Sequence, residues 1–378
     1  MEKHNFDEQA IQKHLELKGK IKVEPKTEVK KEDLSIYYTP GVGAVSKLLA
    51  DDPSKSKDYT IRSGMVAVIS DGSAVLGLGN VGPQAALPVM EGKAMLFKAL
   101  AGVDAFPICL DTQDTEEIIK TIKHISPGFA GINLEDIAAP QCFEIEQRLH
   151  EELDIPVIHD DQHATAIAVL AGLINALKVV GKNKNYVRAV IIGAGAAGTG
   201  VARLLNKWGL GDITMVDSKG IIGEDRTDLD ANKQSLLEFT NNSKLRGDLR
   251  TAIEGSDVVL GLSQAGLLTT EDIRTMSKDS IVFAMANPAP EILPEDAISG
   301  GAKVVATGRS DYPNQINNVL VFPGMFKGAI KVGATSISDD VKLKAAESLA
   351  RVVIDPNPEK IIPSVFDEGV VDAITDAF

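Results

Sequence analysis

Two pairs of adjacent acidic residues are the side chains of this sequence with the clearest potential for chemistry. Glu135 and Asp136 end the segment "GINLED", and Asp160 and Asp161 end the segment "PVIHDD". Both segments have the short apolar composition of buried strands. The carboxyl ends of neighbouring parallel strands meet at one edge of a sheet, where α/β proteins bind their ligands. We therefore expect the four carboxylates to lie close together.

Carboxylates that lie close together repel one another unless a cation lies between them. Ligand sets made only of oxygen favour Mg²⁺ or Mn²⁺, so the sequence predicts a divalent metal site. The alternative interpretation is that the acids cap helices, because Asp136 precedes "IAAPQCFEIEQ" and Asp160 or Asp161 precedes "ATAIAVL". One cap per helix explains only one acid of each pair.

Other polar residues lie in apolar surroundings and allow two interpretations each. Lys93 lies in the helix-like segment "VMEGKAMLFKAL". Its ammonium group either reaches water, or it is desolvated, which would lower its pKa toward that of a useful base. Asn287, Asn317 and Asn318 border apolar runs and either bind a ligand or cap turns. Tyr38, in "IYYTPGVG", either anchors a turn or takes part in chemistry.

A glycine motif of the form G-x-G-x-x-G occurs in "AVIIGAGAAGTG". It follows a strand-like segment and opens a helix-like one, and Asp217 ends the next strand-like segment about 20 residues later. In this setting a pyrophosphate approaches the helix N-terminus and the acid accepts hydrogen bonds from a ribose diol. The expected cofactor contacts are therefore Gly193, Gly195, Ala196, Ala197, Gly198 and Asp217.

Asp217 also bears on which nicotinamide cofactor binds. A carboxylate at this position favours the 2′-hydroxyl of NAD and repels the 2′-phosphate of NADP. Lys219, two residues later, could reach a phosphate. We therefore expect NAD to be the better cofactor, with some use of NADP left open.

A second copy of the motif, "GLGNVG" at 77–82, has a different setting. Asp71-Gly72 lies between two apolar runs, which predicts that the strand before this motif belongs to an antiparallel hairpin. The helix-like segment after the motif carries Pro83 and Pro88. We therefore expect a tight turn that leads into the helix of Lys93, and not a second dinucleotide site.

The order of the predicted elements indicates the fold class and the domains. The 378 residues suggest two domains. We expect an α/β protein with an N-terminal α/β substrate and metal domain at 1–162, followed by a Rossmann-type, doubly wound parallel sheet at 163–378. The apolar run at 164–180 contains Asn175 and Lys178 and is expected to be a buried helix rather than a membrane span.

Composition argues against several classes of partner. The net charge of −14, with no basic block, makes nucleic acid an unexpected partner. The first twenty residues lack the apolar core of a signal peptide, and we expect no membrane association. Two cysteines cannot form a disulfide framework, so a reducing cytoplasmic location is expected.

Taken in order, the motifs resemble those of malic enzymes of the short bacterial type. The resemblance covers nearly the whole chain and rests on "YYTPGVG", "VLGLGNVGPQAALPVMEGKAMLFK", "GINLEDIAAPQCFEIE", "IPVIHDDQHATA", "GAGAAGTG", "ANPAPEI" and "SDYPNQINNVLVFPG". It implies oxidative decarboxylation of L-malate to pyruvate and CO₂ with NAD or NADP and a divalent metal. It also implies a homodimer.

The resemblance further implies a role for individual residues. The implied roles are Tyr38 as general acid, Lys93 as general base, Glu135, Asp136 and Asp161 as metal ligands with Asp160 beside them, and Asn287, Asn317 and Asn318 as substrate-binding residues, with Asn287 also near the cofactor. Larger members of the family carry an arginine just before the first glycine motif, where this chain has Ala74. The resemblance therefore assigns no residue that neutralises the second substrate carboxylate.

Two alternative functions fit parts of the same pattern. One is another metal-dependent 2-hydroxyacid dehydrogenase or an oxaloacetate decarboxylase. The other is a non-catalytic dinucleotide sensor, which would need the glycines and Asp217 but neither Lys93 nor Tyr38. The acidic pairs favour an enzyme over a sensor.

Overall fold

The structure is a computed structural model that describes residues 6–75 and 77–378. The strands in the described part are β1 Met65–Ser70, β2 Asp104–Cys109, β3 Gly131–Leu134, β4 Val157–His159, β5 Arg188–Ile192, β6 Asp212–Asp217, β7 Gly220–Ile221, β8 Val258–Gly261, β9 Ile281–Ala284 and β10 Val304–Thr307. The helices there are α1 Phe6–Leu17, α2 Leu34–Tyr37, α3 Val42–Asp51, α4 Ser56–Tyr59, α5 Pro83–Ala101, α6 Thr115–Ile125, α7 Gln141–Glu152, α8 Asp160–Val180, α9 Ala196–Trp208, α10 Ala231–Leu236, α11 Leu249–Ile253, α12 Thr270–Arg274, α13 Pro294–Gly300, α14 Phe322–Val332, α15 Asp339–Val352 and α16 Val370–Thr375.

The first sheet has the strand order β2-β1-β3-β4, and its strands are all parallel. Strands β1, β3 and β4 are almost entirely buried, as expected for parallel strands that helices cover on both faces. The chain reverses its direction across the sheet between β1 and β3. Ligands bind at such switch points, beyond the carboxyl ends of the strands.

The hairpin predicted at Asp71-Gly72 is wrong. Strand β1 ends at Ser70 and pairs in parallel with β2 and β3, so β1, α5 and β2 form a parallel βαβ unit. Residues 71–82 form a loop in which the only described pairing of the strand type is an isolated bridge from Val75 to Gly79. The Asp-Gly signal failed because here it begins a long strand-to-helix loop and not a two-residue hairpin turn.

The second sheet has the order β10-β9-β8-β5-β6-β7, and only the short β7 runs antiparallel. Strand β5 lies at the switch between the two halves, next to β8 on one side and β6 on the other. This is a doubly wound sheet of the Rossmann type, so the predicted fold class is confirmed. The predicted domain limits remain a prediction, and the helix α8 runs through the proposed boundary.

Helix α8 is the central helix of the protein. It is apolar around most of its circumference and ends at Gly181, which takes the left-handed conformation with φ 67°. Its buried Asn175 donates hydrogen bonds to the carbonyl oxygens of Ala350 and Ile361, at 2.8 and 2.9 Å, which fastens the C-terminal segment to the core. By length and composition α8 could cross a membrane, but 67% of its most apolar stretch is buried inside the protein. The predicted buried helix is therefore confirmed.

Candidate active site

The acidic pairs lie at the carboxyl edge of the first sheet, as expected. Strands β3 and β4 are neighbours, so Glu135 and Asp160 follow adjacent strand ends. One oxygen from each of Glu135, Asp160 and Asp161 lies within 4.8 Å of the other two. The first two side chains are buried, and Asp161 is 28% exposed. The edge therefore carries a compact, oxygen-rich cluster.

Asp136 lies beside this cluster, in a turn of unusual backbone conformation. Its φ of 52° is in the left-handed region, and its backbone N–H donates to Asp161 Oδ2 at 3.2 Å. The helix-capping alternative is wrong for both strand ends. Helix α7 begins after Pro140, and α8 begins after His159, and neither helix has a side-chain cap.

Lys93 is buried against the same cluster. It comes from the inner face of α5, and its side chain is 7% exposed. Its Nζ lies 2.9 Å from Glu135 Oε1 and 2.7 Å from Asp160 Oδ2. The ring of Phe322 lies beneath the ammonium group, with 4.1 Å from Nζ to the ring centroid. The interpretation of Lys93 as a snorkelling residue is therefore wrong.

The expected direction of the lysine pKa is also wrong. Burial alone disfavours the ammonium form, but the charges of Asp160 and Glu135 outweigh it and raise the pKa of Lys93 above its ordinary value. Burial and mutual repulsion raise the pKa of Glu135 and of Asp160 in spite of the lysine. The sequence could not show this result, because the two carboxylates come from other segments.

Two asparagines complete the polar contacts of the cluster. Asn318 Nδ2 donates to Asp160 Oδ2, which connects the segment after β10 to the start of α8. Asn133 is fully buried in β3 and donates to Glu135 Oε2 at 2.9 Å. The two contacts orient the two acids from opposite directions.

Glu146 of α7 holds the segment that carries Asp160 and Asp161. Its carboxylate accepts hydrogen bonds from the backbone N–H of His159 at 2.6 Å and from Gln162 Nε2 at 3.0 Å. His163 Nε2 lies 2.9 Å from its Oε1. Burial disfavours its charge, but His163 and His159 outweigh this and lower the pKa of Glu146 to about 2.

The residues of the cluster fit a divalent cation. Asp160 Oδ1 is buried and has no hydrogen-bond partner among the described residues. A buried carboxylate oxygen without a partner is costly, and a cation would remove the cost. The donor atoms are all oxygens, which suits Mg²⁺ or Mn²⁺ better than zinc.

The loop at 71–82 fastens α5 to the acidic edge. Ala74 N donates to the carbonyl oxygen of Asp136 at 2.9 Å, and Ser73 Oγ accepts from Ala138 N at 2.8 Å. Gly82 precedes α5 with φ 77°, and a Cβ on Gly77 would lie 2.7 Å from the carbonyl oxygen of Asn287. The first glycine motif therefore allows close backbone contact between the loop and both neighbouring segments.

The second glycine motif forms a turn between β5 and α9. A Cβ on Gly198 would lie 1.9 Å from the carbonyl oxygen of Gly193, so only glycine fits. Around Gly195, which precedes α9, a Cβ would meet nothing within 4 Å. The turn has open space in front of a helix N-terminus thirteen residues long, which is the geometry that receives a pyrophosphate.

Asp217 lies at the end of β6 beside this turn, in the wall of a cavity of about 360 Å³ that Gly193 and Gly195 also line. Arg226 donates to both carboxylate oxygens, at 2.8 and 3.2 Å, and Lys233 Nζ donates at 2.8 Å. Burial opposes the charge, but these contacts prevail and lower the pKa of Asp217 to about 2. The carboxylate is therefore ionised and balanced by two cations.

The remaining residues predicted from the sequence have different positions. Asn287 is half-buried next to Pro288, at the end of the segment after β9, and its Nδ2 donates to Met285 O at 3.3 Å. Asn317 accepts from Val319 N at 2.9 Å and caps a short 3₁₀ turn, so the modest interpretation of this residue is confirmed. Tyr38 is 70% exposed.

Asn133, Glu146 and Phe322 were missed by the reasoning from sequence. Asn133 had a usable signal, because it lies two residues before Glu135 and thus on the same face of a strand. Glu146 and Phe322 had none, because each meets the cluster through the packing of distant segments.

The two sheets together define a class of protein. A Rossmann-type sheet with a glycine turn, next to a buried lysine in an oxygen-rich acidic cluster, is the arrangement of a dinucleotide-dependent oxidoreductase that binds a small polar substrate. Residues 18–150 match the model of the malic enzyme N-terminal domain, and residues 162–368 match that of the malic enzyme NAD-binding domain. The chain belongs to the malic enzyme family.

Individual relatives agree with this assignment. The chain is 51% identical to a bifunctional malic/malolactic enzyme of Bacillus subtilis, over 98% of this chain and 91% of that protein. It is 54% identical to an NAD-dependent malic enzyme of Geobacillus stearothermophilus, over 96% and 76% of the two chains. The crystal structure of an NAD-dependent malic enzyme from Thermotoga maritima superimposes with a TM-score of 0.94 at 50% identity, covering 97% and 98%. Other relatives are named NADP-dependent malic enzymes.

Proposed function

We propose that this chain oxidises and decarboxylates L-malate to pyruvate and CO₂ with NAD. The observation that carries the proposal is the position of Lys93, buried against Glu135 and Asp160 beside Asp161, in a chain whose second sheet carries a dinucleotide turn. A buried amine next to carboxylates can hold or move a proton where a hydroxyl group is oxidised. Membership of the malic enzyme family supports the choice of substrate.

Lys93 is the proposed acceptor of the proton of the C2 hydroxyl group. In the described arrangement its amine is charged, so it must first give up a proton. The nearest acceptor is Asp160 Oδ2, at 2.7 Å. Asn318, which donates to the same oxygen, keeps this carboxylate in position. Lys93 and Asp160 therefore act as one proton-transfer pair.

Glu135, Asp136 and Asp161 are the proposed ligands of a Mg²⁺ or Mn²⁺ ion, with Asp160 beside them. Bound there, the ion would act as a Lewis acid on the substrate oxygens. The fit rests on the oxygen-only donor set and on the buried Asp160 Oδ1 without a described partner. Asn133 and Glu146 hold the ligand-bearing segments in place.

Asn287 and Asn318 are the proposed contacts of the substrate carboxylates, and Tyr38 is the proposed general acid. Asn318 already lies at the cluster, and Asn287 lies where the loop at 71–82 meets the segment after β9. Tyr38 would protonate C3 after CO₂ has left. These assignments rest on the resemblance of the motifs and on the positions of the two asparagines.

NAD is the proposed better cofactor, and NADP a weaker one. When bound, the nicotinamide accepts the hydride from C2. Asp217 favours a 2′-hydroxyl group, but Arg226 and Lys233 already balance its charge and so reduce its repulsion of a 2′-phosphate. Relatives named for each cofactor support the possibility of dual use.

The test is a malate-dependent assay of the purified chain with each nicotinamide cofactor and each metal. We expect NADH and pyruvate in equal amounts, with a higher kcat/KM for NAD than for NADP. Lactate should be measured as well, because one relative is named a malic/malolactic enzyme. Decarboxylation of oxaloacetate with no oxidation of malate would contradict the proposal and favour the alternative decarboxylase.

The proposed assembly is a homodimer, and the proposed location is the cytoplasm. The family resemblance suggests the dimer. The location rests on the presence of two free cysteines, Cys109 and Cys142, in place of a disulfide. Sedimentation of the purified chain at micromolar concentration tests the first proposal, and fractionation of the source cells tests the second.

A further inference from the structure

The N-terminal segment at 6–63, here called the arm, does not bury its own apolar residues. None of the residues of α1 to α4, all of which the structure describes, is buried. Helix α3 nevertheless has the apolar composition of a packed helix, "VGAVSKLLAD". Apolar helices are stable when another surface covers them. The arm therefore lacks a covering surface within its own chain.

The exposed area of the chain gives the size of the missing contact. The accessible surface is 18729 Å² for a mass of 40.2 kDa. A folded monomer of this mass exposes about 14,500 Å², so the excess is roughly 4,000 Å². Obligate homodimers bury about 2,000–5,000 Å² in total. The excess is thus as large as a permanent dimer interface.

The excess is apolar and lies at one end of the chain. Of the 24 large apolar side chains that are exposed in the described residues, 18 lie within 6–106. Outside the arm they include Val89 and Met95 on the outer face of α5, at 40% and 41% exposure, and Phe106 on β2, at 42%. Strand β2 is also an unpaired edge of the first sheet. Arm, helix face and edge strand form a single uncovered region.

A second copy of this chain fits that region best. A two-fold dimer contact uses the same surface on both subunits, and here one surface contains both a projecting arm and an apolar helix face that could receive it. The arm is held at both ends. Lys20 donates to Glu91 Oε2 at 3.2 Å and to Pro88 O at 2.7 Å, and Arg62 donates to Asp154 Oδ1 at 2.9 Å. Residues 34–52 lie between these anchors.

Tyr38 lies on this part of the arm, between α2 and α3. It is 70% exposed, whereas Lys93 is 7% exposed on the inner face of α5. An acid and a base that act on one small substrate must both come within hydrogen-bond distance of it. In the single chain, Tyr38 does not share the enclosed surroundings of Lys93. The site is therefore incomplete in one copy if Tyr38 is its acid.

We propose, building on the function proposed above, that the arm of each subunit covers α5 and β2 of a second copy and brings Tyr38 to the Lys93 cluster of that copy. Each of the two active sites then contains Lys93, Glu135, Asp160 and Asp161 from one subunit and the tyrosine from the other. The dimer is thus required for catalysis as well as for stability. A monomer retains the dinucleotide turn but lacks the general acid.

Hybrid dimers test this arrangement directly. Tyr38→Phe and Lys93→Ala chains are co-expressed with different tags, and the dimer that carries both tags is purified. If Tyr38 acts across the interface, one site of the hybrid has both residues intact, and the hybrid should show about half the wild-type malate activity. If it acts within its own chain, both sites are defective, and the hybrid should be as inactive as its parents.

A second pair guards against a variant that does not fold. Asp161→Asn replaces Lys93→Ala as the partner of Tyr38→Phe, and the same half activity is expected. Tyr37→Phe, which removes a hydroxyl group from the neighbouring position on the arm, is the matched control and should keep its activity. Hybrids without activity, a fully active Tyr38→Phe homodimer, or a chain that sediments as a monomer would each overturn the proposal. A wild-type chain that does not act on malate would instead refute the proposed function.

Discussion

Lys93 Nζ lies 2.7 Å from Asp160 Oδ2, and this contact joins the inner face of α5 to the first residue of α8. The two residues are 67 positions apart in the sequence. The lysine is held from below by Phe322 and the acid from the side by Asn318. The pair therefore has a fixed geometry before any ligand binds, which is the condition for efficient proton transfer.

Removal of the lysine should abolish most of the chemistry and spare cofactor binding. For Lys93→Ala we expect kcat to fall by about 10²–10⁴, the usual value of a positioned acid–base group. Lys93→Arg keeps the charge but should not restore the rate, because guanidinium does not give up its proton. NAD affinity, measured by fluorescence quenching, should stay near the wild-type value in both variants. A kcat near that of the wild type for Lys93→Ala would contradict the assigned role.

The acidic cluster should bind Mn²⁺ without substrate or cofactor. For Asp161→Asn we expect Mn²⁺ affinity, measured by electron paramagnetic resonance or calorimetry, to fall by more than about tenfold, because a charged oxygen ligand is lost. Asp340→Asn, an exposed acid in the first turn of α15, is the matched control. EDTA should remove malate activity, and added Mn²⁺ should restore it. Equal Mn²⁺ affinity in the two variants would argue against a metal site at this edge.

Asp217 should control the choice between NAD and NADP. For Asp217→Ala we expect the ratio of kcat/KM for NADP to that for NAD to rise by roughly 10–100-fold. The variant frees Arg226 and Lys233 for a phosphate, and a hydrogen bond to a charged group contributes about 1.5–3 kcal/mol. Asp228→Ala removes only the other partner of Arg226 and should change the ratio less. An unchanged ratio in Asp217→Ala would refute this prediction.

Glu146 should stabilise the fold in a pH-dependent way. Its pKa is lowered from about 4.5 to about 2, so its contribution to stability is complete above pH 4.5 and is lost as the pH falls toward 2. Glu146→Gln should therefore lower Tm at pH 7, by an amount that corresponds to at most about 3 kcal/mol. The difference in Tm between wild type and variant should narrow below pH 4.5. A difference that stays constant down to pH 3 would show that the charge of Glu146 is not its cause.

Much of the fold and part of the site could be predicted from the sequence, because the signals were local. The strands before Glu135 and Gly193 were recognisable as short apolar runs, and strand adjacency then placed Asp160 beside Glu135. The wrong hairpin at Asp71-Gly72 shows the limit of this reasoning. A dipeptide signal describes a turn, whereas the pairing of β1 depends on strands far away in the sequence.

The electrostatic state of the site lay beyond the sequence for the same reason. Lys93 in an apolar helix correctly indicated burial, but the sign of its pKa shift depends on Glu135 and Asp160, which pack against it from another layer. The exposure of Tyr38 was equally unpredictable, because a motif shows which residue is needed and not which subunit supplies it.

Gly200 of α9 has one further consequence for how the site can move. A Cβ there would lie 2.3 Å from the carbonyl oxygen of Gln162, so the backbones of α8 and α9 touch. Asp160 and Asp161 begin α8, and the dinucleotide turn begins α9. The acidic cluster and the cofactor turn are therefore parts of one rigid unit, and the distance between them stays constant during turnover. Entry of substrate and release of product must be accommodated by the opposite wall, formed by α5 and the loop at 71–82.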